Sequence, residues 1–400
     1  MIELEKAIEI LLENCMEMKR EITVSLIDLD GRILSEDIYA KLDNPPFNRS
    51  PLDGYSFNHI SSKGADENRP IEIKIVGEIC AGDYFEKNIE VGECVRIMTG
   101  AMIPENCTCV LRQEDIEEKN GNIIVLKELK LYENFCHRGE DIKFGELILK
   151  KGTKLNYTHV GILATMGISQ VKVFDIPTVG ILSTGDELTD ISNELKPGKI
   201  YDSNLYVIAS RIKNLGMNYK IFGSYGDNPE EVKNIIKENI GDVDLFITTG
   251  GVSVGKKDIL HEVVNLLEGS KLFWKIKIQP GTPVLASKQE GKILLSLSGN
   301  PFAALINLEL LGRPILSKIS RDKEINYRRE TATLRGEFLK KSSNRRMLRG
   351  VYSDNKEVRI ESNHHSSGEV LSTAGINCII DIQPGTEKLS NGEKVKVILL

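Results

Sequence analysis

The stretch Asp244-Leu-Phe-Ile-Thr-Thr-Gly-Gly-Val-Ser-Val-Gly-Lys-Lys-Asp258 constrains the fold more than any other part of the chain. Residues 243–248 form a β-branched and aromatic run of the kind that makes a buried strand. Thr249, Gly250, Gly251 and Ser253 then bring small side chains, permissive backbone and free N–H groups to the point where a parallel strand delivers its chain to a crevice. Asp258 opens a helical pattern over 258–267 and so stands near a helix N-terminus. This order suits an anionic or nucleotide ligand with a bound cation. Residues 250–256 also carry phosphate-loop spacing, but Lys257 stands where that motif needs Ser or Thr to hold magnesium, which removes its metal chemistry.

The surrounding sequence, 175–315, alternates strand and helix patterns. Strands are expected over 178–183, 219–223, 243–248, 273–278, 283–286 and 293–297. Asp202-Ser-Asn204 caps a helix over 205–215, and Asn228-Pro-Glu-Glu231 supplies a capping residue, a proline at the first helical position and acids in the first turn. Ser298-Gly-Asn-Pro301 begins a helix through 311. The order predicts an open, mostly parallel sheet with helices on both faces. Its strand ends carry Ser183, Thr184, Gly185, Asp186 and Glu187; Asp227; Thr249, Gly250, Gly251 and Ser253; Gln279 to Pro283; and Ser298, Gly299 and Asn300. Each acid alone reads as a cap or a solvated turn, but five polar strand ends on one rim define a site.

Outside this region the pattern changes. Apolar positions over 2–19 recur at helical spacing, and an extended segment runs to 42. The prolines in Asp43-Asn-Pro-Pro-Phe-Asn-Arg-Ser-Pro51 mark a boundary or an ordered loop; from local sequence alone Asp53 is a turn residue. Short β runs at 71–76, 93–98 and 123–126 make 56–140 a small β module, in which Arg96-Ile-Met-Thr-Gly-Ala101 reads locally as an edge arginine and a turn. A helical piece ending near Met166, with Gly167 as its C-cap, places that module as an insertion into a helical domain. His137 and His159 have no second ligand at metal spacing and read as structural. Short strands fill 331–400, where the adjacent His364 and His365 point to opposite faces of a strand.

The chain has 400 residues, more than one core usually organises, and a net charge of −6, without the long basic block of a general nucleic-acid binder. The first twelve residues lack a basic n-region and a cleavage site, and no window has the length and apolarity of a membrane span. Seven scattered cysteines without a CxxC pair read as reduced cytoplasmic thiols, and not as a zinc site.

Pro51-Leu-Asp-Gly-Tyr, Arg96-Ile-Met-Thr-Gly-Ala, Arg138-Gly-Glu-Asp, Ser183-Thr-Gly-Asp-Glu-Leu, Tyr201-Asp-Ser-Asn, Thr249-Gly-Gly-Val-Ser-Val-Gly and Ser298-Gly-Asn-Pro, in that order, resemble the molybdopterin molybdenumtransferase family, known as MoeA. The E domains of gephyrin and of the plant molybdenum-insertion protein belong to it. The resemblance spans essentially the whole chain. It implies a multi-domain α/β and β protein: an elongated N-terminal domain from 1–42 and 141–173, an inserted β domain over 43–140, a doubly wound MogA-like α/β domain over 174–322 and a C-terminal β domain over 323–400. It also implies a cytoplasmic homodimer that takes adenylyl-molybdopterin and molybdate, cleaves the phosphoanhydride with Mg2+ or another divalent cation, and releases AMP and molybdenum cofactor. The adenylyltransferase and molybdoenzyme maturation proteins are the partners it suggests; nucleic acid and membrane are not.

By motif, Ser183, Thr184, Gly185, Asp186, Thr249, Gly250, Gly251, Ser253, Gly299 and Asn300 would hold nucleotide and phosphates. Asp227 and Asp258 would bind magnesium, and Asp53 and Glu187 are further catalytic carboxylates, with Asp53 reaching across the dimer. Thr99 and Arg138 would join the same cleft. The family's molybdate pocket usually reads Lys-Pro-Gly-Lys-Pro, whereas this chain has Gln279-Pro-Gly-Thr282-Pro283, so two cations are replaced; Pro283, Arg349 and Ser367 still match. The family's Pro-Gly-Asn-Pro is changed to Ser298. Altered oxyanion affinity or selectivity, toward tungstate, is the expected consequence. The alternatives are a tungstate-handling paralogue, a non-catalytic pterin-binding scaffold, a molybdopterin adenylyltransferase and a P-loop NTPase.

Overall fold

The alternating runs between 178 and 297 fold, in a computed structural model describing residues 1–252, 258–341, 343–361 and 368–400, into one six-stranded sheet. Its spatial order is Asn218–Tyr225, Thr178–Thr184, Leu245–Thr249, Lys292–Leu297, Leu285–Gln289, Ser270–Trp274. The first four strands are parallel, Leu285–Gln289 runs antiparallel to them, and Ser270–Trp274, antiparallel to that strand, runs with the first four. From the 178–184 strand the chain moves first to one side, to 218–225, and then to the other, to 245–249. That reversal opens a crevice at the strands' carboxyl ends.

The sheet is packed on both faces. Leu182, Phe246 and Leu294 share a core with Val232 and Ile236 of the Pro229–Asn239 helix and Val263 and Val264 of the Leu260–Leu266 helix. The Ser203–Asn214 and Pro301–Asn307 helices contact each other and pack on strands 178–184 and 292–297. Each fully buried Leu or Phe contributes about 1.5–3 kcal/mol relative to exposure. The Asn228 side chain accepts from the N–H groups of Glu230 and Glu231, and Asp202 accepts from Leu205, as expected of caps.

The helix from Pro301 outruns its expected end at 311. It passes through a π-helical segment, Leu308–Gly312, and continues as Arg313–Ser320. The segment holds Glu309, which is fully buried and takes Arg211 at 2.7 Å and Arg313 at 2.9 Å. The N-terminal helix, conversely, covers only Leu4–Asn14 of the expected 2–19. Cys15 and Met18 are buried at helical spacing, but Cys15 is extended and the Met18 N–H donates to the Ile319 carbonyl. Spacing alone could not separate these arrangements.

The chain divides into two compact units, one formed by 1–22 and 174–400 and the other by 23–173. In the first, strand Arg345–Tyr352 pairs with both Glu357–Ile360 and Cys378–Ile382, so five strands close into a small barrel without free edges. Ile278–Gln279 adds in parallel, with Gln279 in register with Arg346. In the second, six strands between Gly54 and Val125 form one sheet around Phe57, Ile73, Cys94, Cys109 and Ile123. His159 is structural, accepting the Asn156 N–H in a capping box, and His137 packs edge-on against Tyr132. All seven cysteines are free thiols. His364, His365, Lys256 and Lys257 lie outside the described residues.

Candidate functional site at the carboxyl rim of the sheet

Parallel register brings the strand ends to one level: Ser183 lies opposite Thr249, Thr249 opposite Leu297, and Thr184 opposite Tyr225. Beyond them opens a cavity of about 940 Å3. The loops that bound it are pinned to one another. Gly185 donates its N–H to Tyr225, and Gly250 to Leu297. The Thr249 hydroxyl donates to the Ser298 carbonyl at 3.1 Å, and the Asn204 amide donates both to Thr249 Oγ1 (3.0 Å) and to the Gly299 carbonyl (2.7 Å). The sheet thus places these groups before any ligand arrives.

Glycine at 250 is a steric requirement. Its φ is +94°, and an added Cβ would stand 2.1 Å from the Thr184 carbonyl oxygen. A Cβ on Gly251, at φ +63°, would meet Leu260 at 2.6 Å. The closeness leaves backbone, rather than side chains, facing the cavity between two strand ends.

Ser183 and Thr184 line the cavity, and their hydroxyl oxygens, Oγ and Oγ1, are buried beside it with no hydrogen-bond partner among the described residues. Buried polar groups are almost always paired, so two orphans beside one cavity mark it as a candidate ligand site. Glu187, Asp227 and Asp258 line the same cavity. The Asp186 carboxylate accepts the Asp227 N–H at 3.0 Å, and its carbonyl accepts from Lys199.

Of the residues singled out in the sequence, Ser183, Thr184, Gly185, Glu187, Asp227, Thr249, Gly250, Gly251, Asp258, Pro283, Gly299 and Asn300 come together around this cavity. Asp53, Thr99 and Arg138 belong to the 23–173 unit. There the Thr99 hydroxyl and N–H both donate to Asp53 at 2.7 Å and hold its carboxyl below the usual carboxylate range, while Arg138 pairs with Asp43 at 2.5 Å. Ser253 and Ser367 lie outside the described residues. Sequence reasoning missed Asn204 as a bridge across the rim, because Asp202-Ser-Asn204 already made sense as a cap. It also missed the wall formed by Ile200, Tyr201 and Val370.

A second recess, of about 90 Å3, opens beside the first and shares Gln279 and Pro280 with it. Phe302, Arg346, Met347, Leu348 and Arg349 complete its lining. Arg349 is 1% exposed, lies 3.8 Å above the Phe302 ring and donates to the Glu369 carbonyl. Burial pulls its guanidinium pKa below the ordinary value, a shift that a bound anion opposes.

A doubly wound sheet with a polar, glycine-lined crevice at its switch point defines the class of α/β protein whose candidate ligand site lies across its strand ends. Residues 2–167 match the MoeA N-terminal region (domain I and II), 180–318 a probable molybdopterin binding domain, and 331–400 the MoeA C-terminal region (domain IV). The molybdopterin molybdenumtransferase of Staphylococcus epidermidis is 35% identical over 100% of this chain and 95% of its own, and that of Staphylococcus aureus is 34% identical over 94% and 91%. The crystal structure of a MoeA molybdopterin biosynthesis protein from Pyrococcus horikoshii superimposes with a TM-score of 0.88 at 32% identity, covering 100% of this chain and 98% of that one. The chain belongs to the molybdopterin molybdenumtransferase family. Among the described residues, no helix is long and apolar enough to cross a membrane.

Proposed function

We propose that this protein carries out the molybdenum-insertion step of molybdenum cofactor synthesis: it binds adenylyl-molybdopterin, cleaves the phosphoanhydride in the presence of molybdate and Mg2+, and releases AMP and molybdenum-loaded molybdopterin. The observation that carries this reading is the juxtaposition, on one cavity wall, of the unpartnered Ser183 and Thr184 hydroxyls with Asp227 and Asp258. In this reading the two hydroxyls and the Gly251 N–H bind phosphate oxygens, and Asn204 keeps the two loops at fixed separation. Glu187 is placed to hold a proton or orient water.

Asp227 and Asp258 fit magnesium by donor chemistry. Magnesium usually takes one or two protein carboxylates and completes its shell with water and substrate phosphate; the described residues include no site with three or more His, Cys, Asp or Glu poised for a metal. When bound, the ion would neutralise phosphate charge and so make the phosphorus accessible to attack. The protein is proposed to act as a cytoplasmic homodimer, to receive its substrate from the adenylyltransferase and to pass its product to molybdoenzyme maturation proteins. Asp53, Thr99 and Arg138 are proposed to serve the same reaction.

The test is AMP release from adenylyl-molybdopterin by the purified chain. Release should require both molybdate and a divalent cation, stop with EDTA and return with Mg2+. In Asp258→Ala it should fall by about two orders of magnitude, with the melting temperature unchanged. ATP consumption with metal-free pterin would assign the chain to adenylyl transfer instead. Undiminished cofactor production by Asp258→Ala in a complemented cell would favour a scaffold.

A further inference from the structure

The turn that follows strand Leu245–Thr249 is fixed from three directions. The Gly250 N–H donates to the Leu297 carbonyl, the Gly251 carbonyl accepts from the Leu260 N–H at 3.1 Å, and the Val252 carbonyl accepts from the Trp274 indole Nε1 at 3.1 Å. The first two ties join backbone to backbone, and the third depends on a side chain. Together they hold the peptides on either side of the Gly250–Gly251 peptide, whose own N–H, at Gly251, has no acceptor among the described residues. Gly251 and Val252 both line the main cavity.

Trp274 is the single tryptophan of the chain. It closes strand Ser270–Trp274, which runs with the four parallel strands, so it stands at a carboxyl end; two strands lie between it and Leu245–Thr249. Its ring packs, half-buried, against the core that holds Val252 and Leu260. His261 meets it edge-on at 4.6 Å, and Lys275 and Lys271 bring their ammonium groups to 3.9 and 5.5 Å from its centroid. Lys275 has a left-handed backbone, φ +65°, which is unfavourable for a residue with a side chain and recurs at functional sites. The indole is thus held by three side chains while its N–H holds the turn.

Resting on the insertase reading above, we propose that Trp274 is a positioning residue for phosphate binding. By holding the Val252 carbonyl, its N–H fixes the turn in the form that leaves the Gly251 N–H available to a phosphate oxygen. A donor set in advance needs no reorganisation when the anion arrives. Because the same N–H touches the turn, the emission of Trp274 reports whether the turn is occupied.

Two measurements on the full chain test this, and neither uses turnover. AMP should change the emission of the wild-type protein, excited where tyrosine does not absorb, and the change should saturate together with binding followed by calorimetry; with one tryptophan, the signal has one source. Trp274→Phe keeps an aromatic ring beside the lysines and removes the N–H. Its AMP affinity should fall about fivefold, the loss of one hydrogen bond, whereas adenosine, which has no phosphate, should bind as it does to the wild type. A merely structural tryptophan would lower both affinities alike or neither, and either result in a folded variant overturns the inference. AMP binding to the wild type without any change in emission overturns it even where the variant does not fold. Those results leave the insertase reading standing; a wild-type chain that binds no AMP would defeat both.

Discussion

At the amino ends of the parallel strands, Asp244 takes both arms of Arg20 at 2.9 Å and the Thr178 N–H at 2.8 Å, and Lys292 donates to the carbonyls of Ile240 and Gly241 at 2.7 Å. At the carboxyl ends of the same strands the Ser183 and Thr184 hydroxyls are buried beside a cavity without a partner among the described residues, and a turn is built around a glycine that no other residue could replace. One end spends its polar groups on the fold and the other leaves them available. A buried polar group gains little net stability when paired and costs about 1–3 kcal/mol when not, so the unpaired end is a sacrifice that only a ligand repays.

The contrast fails most visibly at Gly250. Gly250→Ala forces the turn away from Thr184 and out of its left-handed conformation; the expected cost is about 2–3 kcal/mol in chemical denaturation, together with loss of AMP binding by calorimetry. Retained AMP affinity would mean that the turn is not part of the site. Asp244→Ala should separate the two ends, losing about 1–2 kcal/mol of stability while AMP affinity stays as in the wild type. Ser183→Ala should do the reverse. Its urea midpoint should be equal to or above that of the wild type, because an unpaired buried hydroxyl is removed, and AMP affinity should drop by several-fold, about 1 kcal/mol. A stability loss there would show that the hydroxyl is structural after all.

The smallest effect concerns Cys15, near Arg20 and Asp244 at the paired end. Burial pushes its thiol from the ordinary 9.0 up to about 11. Because the folded value lies above the unfolded one, the contribution is fully present below pH 9 and is lost as the pH rises from there towards 11. The urea midpoint should therefore be level from pH 7 to about 9 and fall above it; Cys94, Cys107, Cys109 and Cys378, which burial pushes up to about 12, share in that fall, so Cys15→Ala should lessen it by one thiol's share only.

The parallel sheet and most of its rim were legible because each strand run ends in residues that cannot continue a strand: Gly250, Pro280 and Pro301 punctuate the sequence, and the polar groups beside them follow from the topology. Asn204 was not, since one side chain position served equally as part of a helix cap; its two bonds, to Thr249 and Gly299, depend on segments 45 and 95 residues away. The contact of Arg346 with Gln279 was hidden for the same reason. The two residues are 67 apart in the sequence, and only strand pairing makes them neighbours. The end of the N-terminal helix was misread because Cys15 and Met18 keep helical spacing while the backbone at Cys15 is extended and the Met18 N–H bonds to Ile319.

The π-helical turn at Leu308–Gly312 follows directly on Asn307, whose amide donates to the carbonyl of the cavity-lining Pro283. A turn of this kind amounts to one residue inserted into an α-helix, and each residue rotates the helix by about 100°. Glu309, clamped there by Arg211 and Arg313, fastens the helix that begins after Asn300 to the helix that carries Asn204. The inserted residue is thus a phase adjustment between two rods, and deleting it would turn the barrel-side half of the rod against a rim that the carboxylate clamp holds still.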